Sequence, residues 1–191
     1  MRATRVIAAL AFACLVTGCG LASPPQGPGS EGEGAPVGIS RLEVSERGKA
    51  LALRGEDLQG DPVDVKQWRG KVVVINVWGS WCPPCREETP TLSQIARELD
   101  GEVEFLGIAV RESATASLAF TRRLKVPYPS ISDSSGALLT KFADSLPAVA
   151  VPTTYILDTE GRVAVRVLDK VTYSTLTALI EDVRAESEGR Q

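Results

Sequence analysis

The chain has 191 residues, 43% of them hydrophobic, which is enough for one ordinary domain with appended segments. Its 21 basic and 24 acidic residues give a net charge of −3, and no basic stretch indicates nucleic-acid binding. Histidine is absent, which excludes a Cys-x-x-Cys-His haem site and any hydrolase chemistry that needs a histidine. The chain offers too few nitrogen and sulfur ligands for a zinc site, so we expect neither a metal nor a cofactor.

The N-terminus has the pattern of an export signal. Arg2 and Arg5 precede an unbroken apolar run over residues 6–16, which is too short for a membrane span of about 20 residues. The run ends in residues 15–19 (LVTGC), which resemble a bacterial lipobox. This pattern predicts a lipoprotein signal peptide over residues 1–18 and a lipid-modified Cys19 that anchors the protein to the extracytoplasmic face of the cell membrane. The alternative is ordinary signal cleavage, with Cys19 an incidental thiol.

Composition then divides the rest of the chain. Residues 19–40 comprise Cys19 and a stretch rich in Gly, Pro, Ser and Glu without apolar periodicity, which predicts a flexible tether. We expect the folded domain over residues 41–187 and a C-terminal tail over residues 188–191. Two short strands, over residues 49–53 and 63–65, are predicted to form an N-terminal β-hairpin around a turn-rich connection.

A pair of cysteines lies where a buried strand turns into a helix. Residues 71–77 (KVVVINV) favour a strand buried on both faces, and residues 84–99 have helical apolar spacing. The first helical turn has unpaired N–H groups and partial positive charge, both of which favour a thiolate. We expect Cys82 to be the exposed nucleophile and Cys85, three residues later, to resolve the mixed disulfide. The alternative is a purely structural disulfide, although one that closes so small a loop constrains little of the unfolded chain.

The remaining elements predict an α/β sheet covered on both faces. A strand over residues 102–110 runs parallel to the first one because a helix separates them. A helix capped by Ser113 follows over residues 113–124, then a brief strand over residues 128–132 and a short helix over residues 136–142. Residues 152–158 and 163–168 flank a turn at Gly161, which is typical of a hairpin. An amphipathic helix over residues 172–184 closes the domain.

Over about residues 48–186 the chain resembles the thioredoxin superfamily, and within it the membrane-tethered TlpA/ResA-type thiol–disulfide oxidoreductases. The resemblance is carried by residues 69–78 with the motif at 81–85 (WCPPC), by residues 88–90 (ETP) and by residues 151–154 (VPTT). Residues 113–147 fit the insertion of this branch. The resemblance implies a thioredoxin fold with a mixed central sheet, helices on both faces and a central insertion.

The resemblance also implies roles for single residues. The Cys82–Cys85 pair would be a redox disulfide, and Pro152 would be cis and lie beside the sulfurs. Val151 would then present its backbone to an extended substrate segment. We expect Trp81 to be a partly exposed apolar rim for a partner, next to Pro83 and Pro84, and Trp78 to belong to the core.

One acidic residue of the helix could take part in proton transfer. Glu88 lies three residues after Cys85 on the same face and could exchange a proton with its thiol. Thioredoxin has a buried acid on the strand, where this chain has Asn76, so the acid corresponds to the one on the helix of the ResA-type proteins. The alternative is a solvated acid stabilised by the helix dipole.

The motif alone does not fix the direction of electron flow. Pro83 and Pro84 cannot donate backbone N–H bonds to the Cys82 sulfur, and no histidine lies between the cysteines, so we expect mild thiolate stabilisation and a reductant. The resemblance implies a membrane thiol transporter of the CcdA type as electron donor. The resemblance also implies that the substrates of this protein are exported cysteine-containing proteins, with apocytochrome c as the first candidate. The alternatives are a disulfide oxidase or thiol peroxidase on the same fold, or a non-catalytic thiol- or metal-binding lipoprotein.

Overall fold

A computed structural model of the protein describes residues 38–189. The predicted signal peptide, Cys19 and residues 19–37 of the predicted tether lie outside the described residues, as do residues 190 and 191 of the predicted tail. Within the described part of the chain, no helix combines the length and the apolar character that a membrane span requires.

From Val72 to Glu188 the strands and α-helices follow one another in the predicted order, whereas the elements before Val72 differ from the prediction. The strands are β1 (Ile39–Arg41), β2 (Arg54–Glu56), β3 (Pro62–Asp64), β4 (Val72–Trp78), β5 (Val103–Val110), β6 (Ser130–Asp133), β7 (Thr153–Leu157) and β8 (Val163–Leu168). The α-helices are α1 (Pro83–Glu98), α2 (Ala114–Leu124) and α3 (Tyr173–Glu188). Two one-turn 3-10 helices cover Val65–Trp68 and Leu139–Phe142.

Strand β4 lies inside a six-stranded mixed sheet. The strand order is β1-β8-β7-β4-β5-β6, and β2 pairs only with β3 in a separate hairpin. Strands β4, β5 and β6 are parallel, whereas β7 is antiparallel to both β4 and β8. All seven residues of β4 are buried, as expected for a strand that is covered on both faces. The predicted α/β thioredoxin-like architecture is confirmed.

The alternation of β4 side chains divides the core in two. Val73, Ile75 and Val77 pack with the β2–β3 hairpin and the two 3-10 helices on one face. Val72 and Val74 face α1 and α3 on the other. Helical segments therefore lie on both faces of the sheet: α1 and α3 on one, and single 3-10 turns on the other. One of these 3-10 turns lies where the sequence predicted a short helix over residues 136–142.

The first strand of the predicted N-terminal hairpin is displaced. Residues 49–53 form no strand, although Leu51 and Leu53 are buried as their alternation indicates. Their backbone bonds go to separate partners: the Leu51 N–H donates to the Gly161 carbonyl, and the Leu53 carbonyl accepts from the Val65 N–H. The hairpin itself forms further along, between β2 and β3.

Both ends of the domain extend beyond the sequence prediction. Ile39 and Ser40, assigned to the tether, belong to β1, which pairs antiparallel with β8 at the sheet edge. Helix α3 continues four residues past the predicted end at Arg184. Strand β6 is shifted by one to two residues from the predicted 128–132. These boundaries depend on contacts between distant segments rather than on local sequence.

A buried ion pair ties the start of the domain to the β7–β8 hairpin. The Arg47 and Asp158 side chains are 2% and 0% exposed, and Arg47 Nη1 donates to Asp158 Oδ2 at 3.2 Å. Arg162 also donates to Asp158, from its backbone N–H at 2.8 Å and its Nε at 2.9 Å. Glu186 of α3 is a second partner of Arg47. Removing Asp158 leaves the buried guanidinium with the half-buried Glu186 carboxylate and the Leu42 carbonyl.

We therefore predict that Asp158→Ala lowers the free energy of unfolding by about 3 kcal/mol, since it removes the carboxylate of a buried ion pair and leaves the guanidinium behind. Urea-induced unfolding measures the change. Glu181→Ala is the matched control, because Glu181 pairs with Arg184 at the surface and should cost less than about 1 kcal/mol. Equal losses in the two variants would contradict a structural role for the buried pair.

Candidate active site

The two cysteines lie at the junction of β4 and α1, as the sequence predicted. Cys82 is the N-cap of α1 and is joined to Cys85 by a disulfide. Pro83 and Pro84 occupy the first helical positions, where a missing N–H is tolerated. The Cys85 N–H is therefore the first along the helix that can reach the sulfur, and it donates to Cys82 Sγ at 3.3 Å.

Cys82 is less accessible than we expected from the sequence. In the disulfide form it is 2% exposed and Cys85 is 0% exposed, so the prediction of an exposed nucleophile is wrong for this state. Both cysteines pack in a small apolar cluster with Trp78 and Phe120, and Val151 lies against the same cluster. A partner must therefore approach the sulfurs through the residues that surround them.

The loop before β7 covers the disulfide. The Val151–Pro152 peptide bond is cis, and the Val151 carbonyl oxygen lies 3.8 Å from Cys82 Sγ. The Pro152 carbonyl accepts from the Asp169 N–H at 3.2 Å, which links this loop to the segment that follows β8. Val151 and Pro152 thus lie beside the sulfurs, at the position given for them in the sequence analysis.

Trp81 forms the exposed rim of the site. Its side chain is 45% exposed, and its Nε1 donates to the Val110 carbonyl at 3.1 Å at the end of β5. A side chain at residue 79 would overlap the indole, so Gly79 permits this position. Trp78, in contrast, is buried and packs against Phe120 with ring centroids 5.0 Å apart. The expectations for the two tryptophans agree with their placement.

Glu88 is buried one helical turn after Cys85. It is 2% exposed, so the alternative of a solvated acid is wrong. Its carboxylate accepts from Asn76 Nδ2 at 2.8 Å and from the Val171 N–H at 3.1 Å. Burial raises the pKa of Glu88 from 4.5 to about 7, although both hydrogen bonds oppose this rise, and the negative charge of Asp169 adds to it. Glu88 can therefore both hold and release a proton near neutral pH.

The sequence analysis missed a carboxylate that fixes the loop before Cys82. Glu112 accepts from the Ser80 N–H at 3.0 Å and from the Ser80 and Ser117 hydroxyls, the latter at 2.9 Å. Glu112 lies two residues after the end of β5, the parallel neighbour of β4, so its place at the carboxyl end of that strand was the available signal. The contact positions the segment that carries Trp81 and Cys82.

The structure thus brings Trp81, Cys82, Cys85, Val151 and Pro152 together, with Glu88 below them. Pro83 is exposed and Pro84 half-buried at the same helix end. Within residues 38–189, no group of three or more His, Cys, Asp or Glu side chains is arranged to hold a metal ion. The chemistry available here is thiol–disulfide exchange at the Cys82–Cys85 pair.

The raised pKa of Glu88 predicts a specific pH dependence of stability. Between pH 4.5 and about 7 the folded state retains a proton that the unfolded state has released, so raising the pH favours unfolding. At about 1.4 kcal/mol per pKa unit this amounts to about 3 kcal/mol. In Glu88→Gln the side chain does not titrate, so the free energy of unfolding of this variant should lack this decline with pH. Any further change that the substitution causes in the free energy of unfolding does not depend on pH, which leaves the comparison of slopes valid.

Urea unfolding of the oxidised protein at pH 4.5, 5.5, 6.5 and 7.5 measures the difference, because the disulfide keeps the cysteines from titrating. The exposed Glu87 on the same helix provides the control, since Glu87→Gln should retain the wild-type decline. Parallel pH profiles for wild type and Glu88→Gln would show that Glu88 is already ionised at pH 5.

Comparison with known proteins agrees with this geometry. The model of the AhpC/TSA family matches residues 47–166. Thiol-disulfide oxidoreductase ResA of Bacillus subtilis strain 168 is 29% identical over 148 residues, which cover 76% of this chain and 78% of that protein. Thiol:disulfide interchange protein DsbE of Pseudomonas aeruginosa is 32% identical over 127 residues, which cover 64% of this chain and 67% of that protein.

A solved structure has the same architecture. A secreted thiol-disulfide isomerase from Corynebacterium glutamicum superposes with a TM-score of 0.71 at 27% identity, covering 83% of this chain and 95% of that one. Family, relatives and the Cys82–Cys85 disulfide all point to the same chemistry. The chain therefore belongs to the AhpC/TSA family of thioredoxin-fold proteins and is a thiol–disulfide oxidoreductase.

Proposed function

We propose that this oxidoreductase works as a disulfide reductase on exported proteins. The observation that carries the proposal is the number of donors to the nucleophilic sulfur. Among the described residues, only the Cys85 N–H donates to Cys82 Sγ, because the two residues between the cysteines are prolines. Weak stabilisation of the thiolate favours the disulfide form of the protein, and a protein that readily becomes oxidised reduces its partners.

The exchange takes place in two steps. The Cys82 thiolate attacks one sulfur of a substrate disulfide, and the other substrate sulfur leaves as a thiolate. The Cys85 thiol then gives its proton to the Glu88 carboxylate and attacks Cys82 Sγ, which releases the second substrate sulfur and forms the Cys82–Cys85 disulfide. Two electrons pass from the protein to the substrate, and an external dithiol must restore them.

Substrate positioning falls to the loop before β7. The Val151 N–H makes no hydrogen bond with another described residue, so it is available to pair with an extended substrate segment. Trp81, Pro83 and Pro84 supply an apolar surface around the sulfurs. At this loop the arrangement supports recognition of a peptide backbone near a cysteine.

The N-terminal sequence supports the proposed location, and the resemblance to the TlpA/ResA-type proteins supports the proposed partners. The signal peptide over residues 1–18 and lipidation at Cys19 would hold the domain on the extracytoplasmic face of the membrane, and the Corynebacterium glutamicum relative is likewise a secreted protein. A membrane thiol transporter of the CcdA type is then the proposed electron donor. Apocytochrome c, whose cysteines must be thiols before haem attachment, is the first candidate substrate.

The two cysteines should behave differently when each is replaced. Cys85→Ser, once reduced, should form a stable mixed disulfide through Cys82 with a disulfide-bonded substrate protein, because no second thiol releases it. Cys82→Ser should abolish both turnover and complex formation. Non-reducing gel electrophoresis before and after dithiothreitol detects the complex. Turnover retained by Cys82→Ser would rule out this sulfur as the nucleophile.

The reduction potential tests the direction of electron flow. We expect a value nearer to the roughly −270 mV of thioredoxin than to the roughly −120 mV of DsbA. Pro84→His adds both a backbone N–H and an imidazole beside Cys82 and should raise the potential by about 30 mV or more. Pro84→Ala adds only the N–H and is the matched control, with a smaller rise expected. Equilibration with glutathione buffers measures all three, and a wild-type potential close to that of DsbA would indicate an oxidase.

A further inference from the structure

A groove next to the sulfurs is not used by the exchange chemistry. It lies between the first turn of α1 and the face of α2 that carries Phe120 and Arg123, as two neighbouring cavities of about 490 and 370 Å³. Both cavities are lined by Arg86, Phe120 and Arg123. One reaches Pro83 and the other Ser80, the residues on either side of the Trp81-Cys82 pair. A chain that occupies this groove therefore passes beside the disulfide.

The groove carries uncompensated positive charge. Arg86 and Arg123 line the groove, and Arg111 lies over the Trp81 ring beside it. All three are exposed, and none of their guanidinium groups forms an ion pair or donates a hydrogen bond within residues 38–189. The Arg123 guanidinium carbon lies 5.7 Å from the centroid of the Phe120 ring, and that of Arg111 lies 5.9 Å from the centroid of the Trp81 ring. Two aromatic rings thus orient two of the three cations toward the rim of the site.

The nearby carboxylates already have partners. Glu87 lies at the groove and pairs with Lys170 at 2.6 Å. Glu112 accepts hydrogen bonds from Ser80 and Ser117. The whole chain has a net charge of −3. The clustering of unpaired guanidinium groups is therefore specific to this face and does not reflect the overall charge.

We propose that the groove binds an acidic segment of the partner protein, next to the cysteine that exchanges with Cys82. This inference rests on the proposed function and adds the substrate class. Guanidinium groups bind carboxylates through paired hydrogen bonds, and Phe120 supplies an apolar floor for the stems of acidic side chains. A peptide is favoured over an anionic membrane surface because the groove leads to sulfurs that a partner chain must reach.

The test measures binding separately from reduction. The probes are two dye-labelled, cysteine-free peptides that differ only in four positions, all Glu in one and all Lys in the other. Fluorescence anisotropy with the oxidised full chain should give a dissociation constant about tenfold lower for the Glu peptide, from two or three exposed charge pairs. The preference should weaken as salt is raised from 50 to 500 mM.

Matched charge reversals locate the preference. Arg123→Glu should bring the ratio of the two dissociation constants close to one, and Arg123→Gln should give an intermediate value. Lys66→Glu is the control, since it changes the net charge by the same amount. Lys66 lies in the 3-10 helix that precedes β4, whereas the cysteines follow the opposite end of that strand. This variant should leave the ratio of the two dissociation constants within twofold of the wild-type ratio. Thermal unfolding checks that each variant is folded, and the milder Arg123→Gln keeps the test valid if the reversal is unstable.

Two results would overturn the inference: equal binding of both peptides by the wild type, or a preference that Arg123→Glu and Lys66→Glu reduce equally. A third would be an Arg123-dependent affinity for vesicles containing phosphatidylglycerol without any preference between the peptides, which would assign the groove to lipid. Reduction of the neutral hydroxyethyl disulfide is assayed in parallel. Failure of that reaction counts against the proposed function, whereas the peptide preference still decides the groove.

Discussion

The buried carboxyl group of Glu88 is the contact on which the arrangement of the site depends. It joins α1 to β4 through Asn76 and to the segment after β8 through the Val171 N–H. Asn76 also donates to Thr154 at 3.2 Å, which ties β4 to the strand that begins after Pro152. One carboxyl thus holds together the three segments that surround the sulfurs. Burial desolvates the Glu88 carboxylate, which is unfavourable for its charged form. The two hydrogen bonds offset this desolvation only in part, and the pKa of Glu88 is therefore raised.

Both sulfurs are buried, but their surroundings differ. Cys82 lies under the Val151 carbonyl at the edge of the exposed Trp81. Cys85 is fully buried in the disulfide form, so in the proposed exchange its proton has no direct path to water. In the proposed exchange Glu88 on the next turn of α1 supplies the missing acceptor. A dry interior that is unfavourable for an ionised carboxylate is therefore what makes this carboxyl suitable as a proton carrier near neutral pH.

The parts that were predictable from sequence are those fixed by local pattern. The apolar run of β4, the spacing of α1 and the turn at Gly161 each specify an element without reference to distant residues. Strand β1 has three residues and exists only because β8 pairs with it. Residues 49–53 bury the right side chains but find no strand partner. Short edge segments are decided by tertiary contacts, which local patterns do not encode.

Within the site, the same distinction separates chemistry from environment. The motif identified Cys82, Cys85 and the candidate acid, because their spacing on one helix is a local property. It did not indicate that Cys82 is covered, nor that Glu112 fixes Ser80, since these contacts join residues 69 and 32 positions apart. The burial of Glu88 likewise depends on Val171, 83 positions away. Sequence therefore indicates the candidate reactive groups, whereas the fold sets their protonation and their access to solvent.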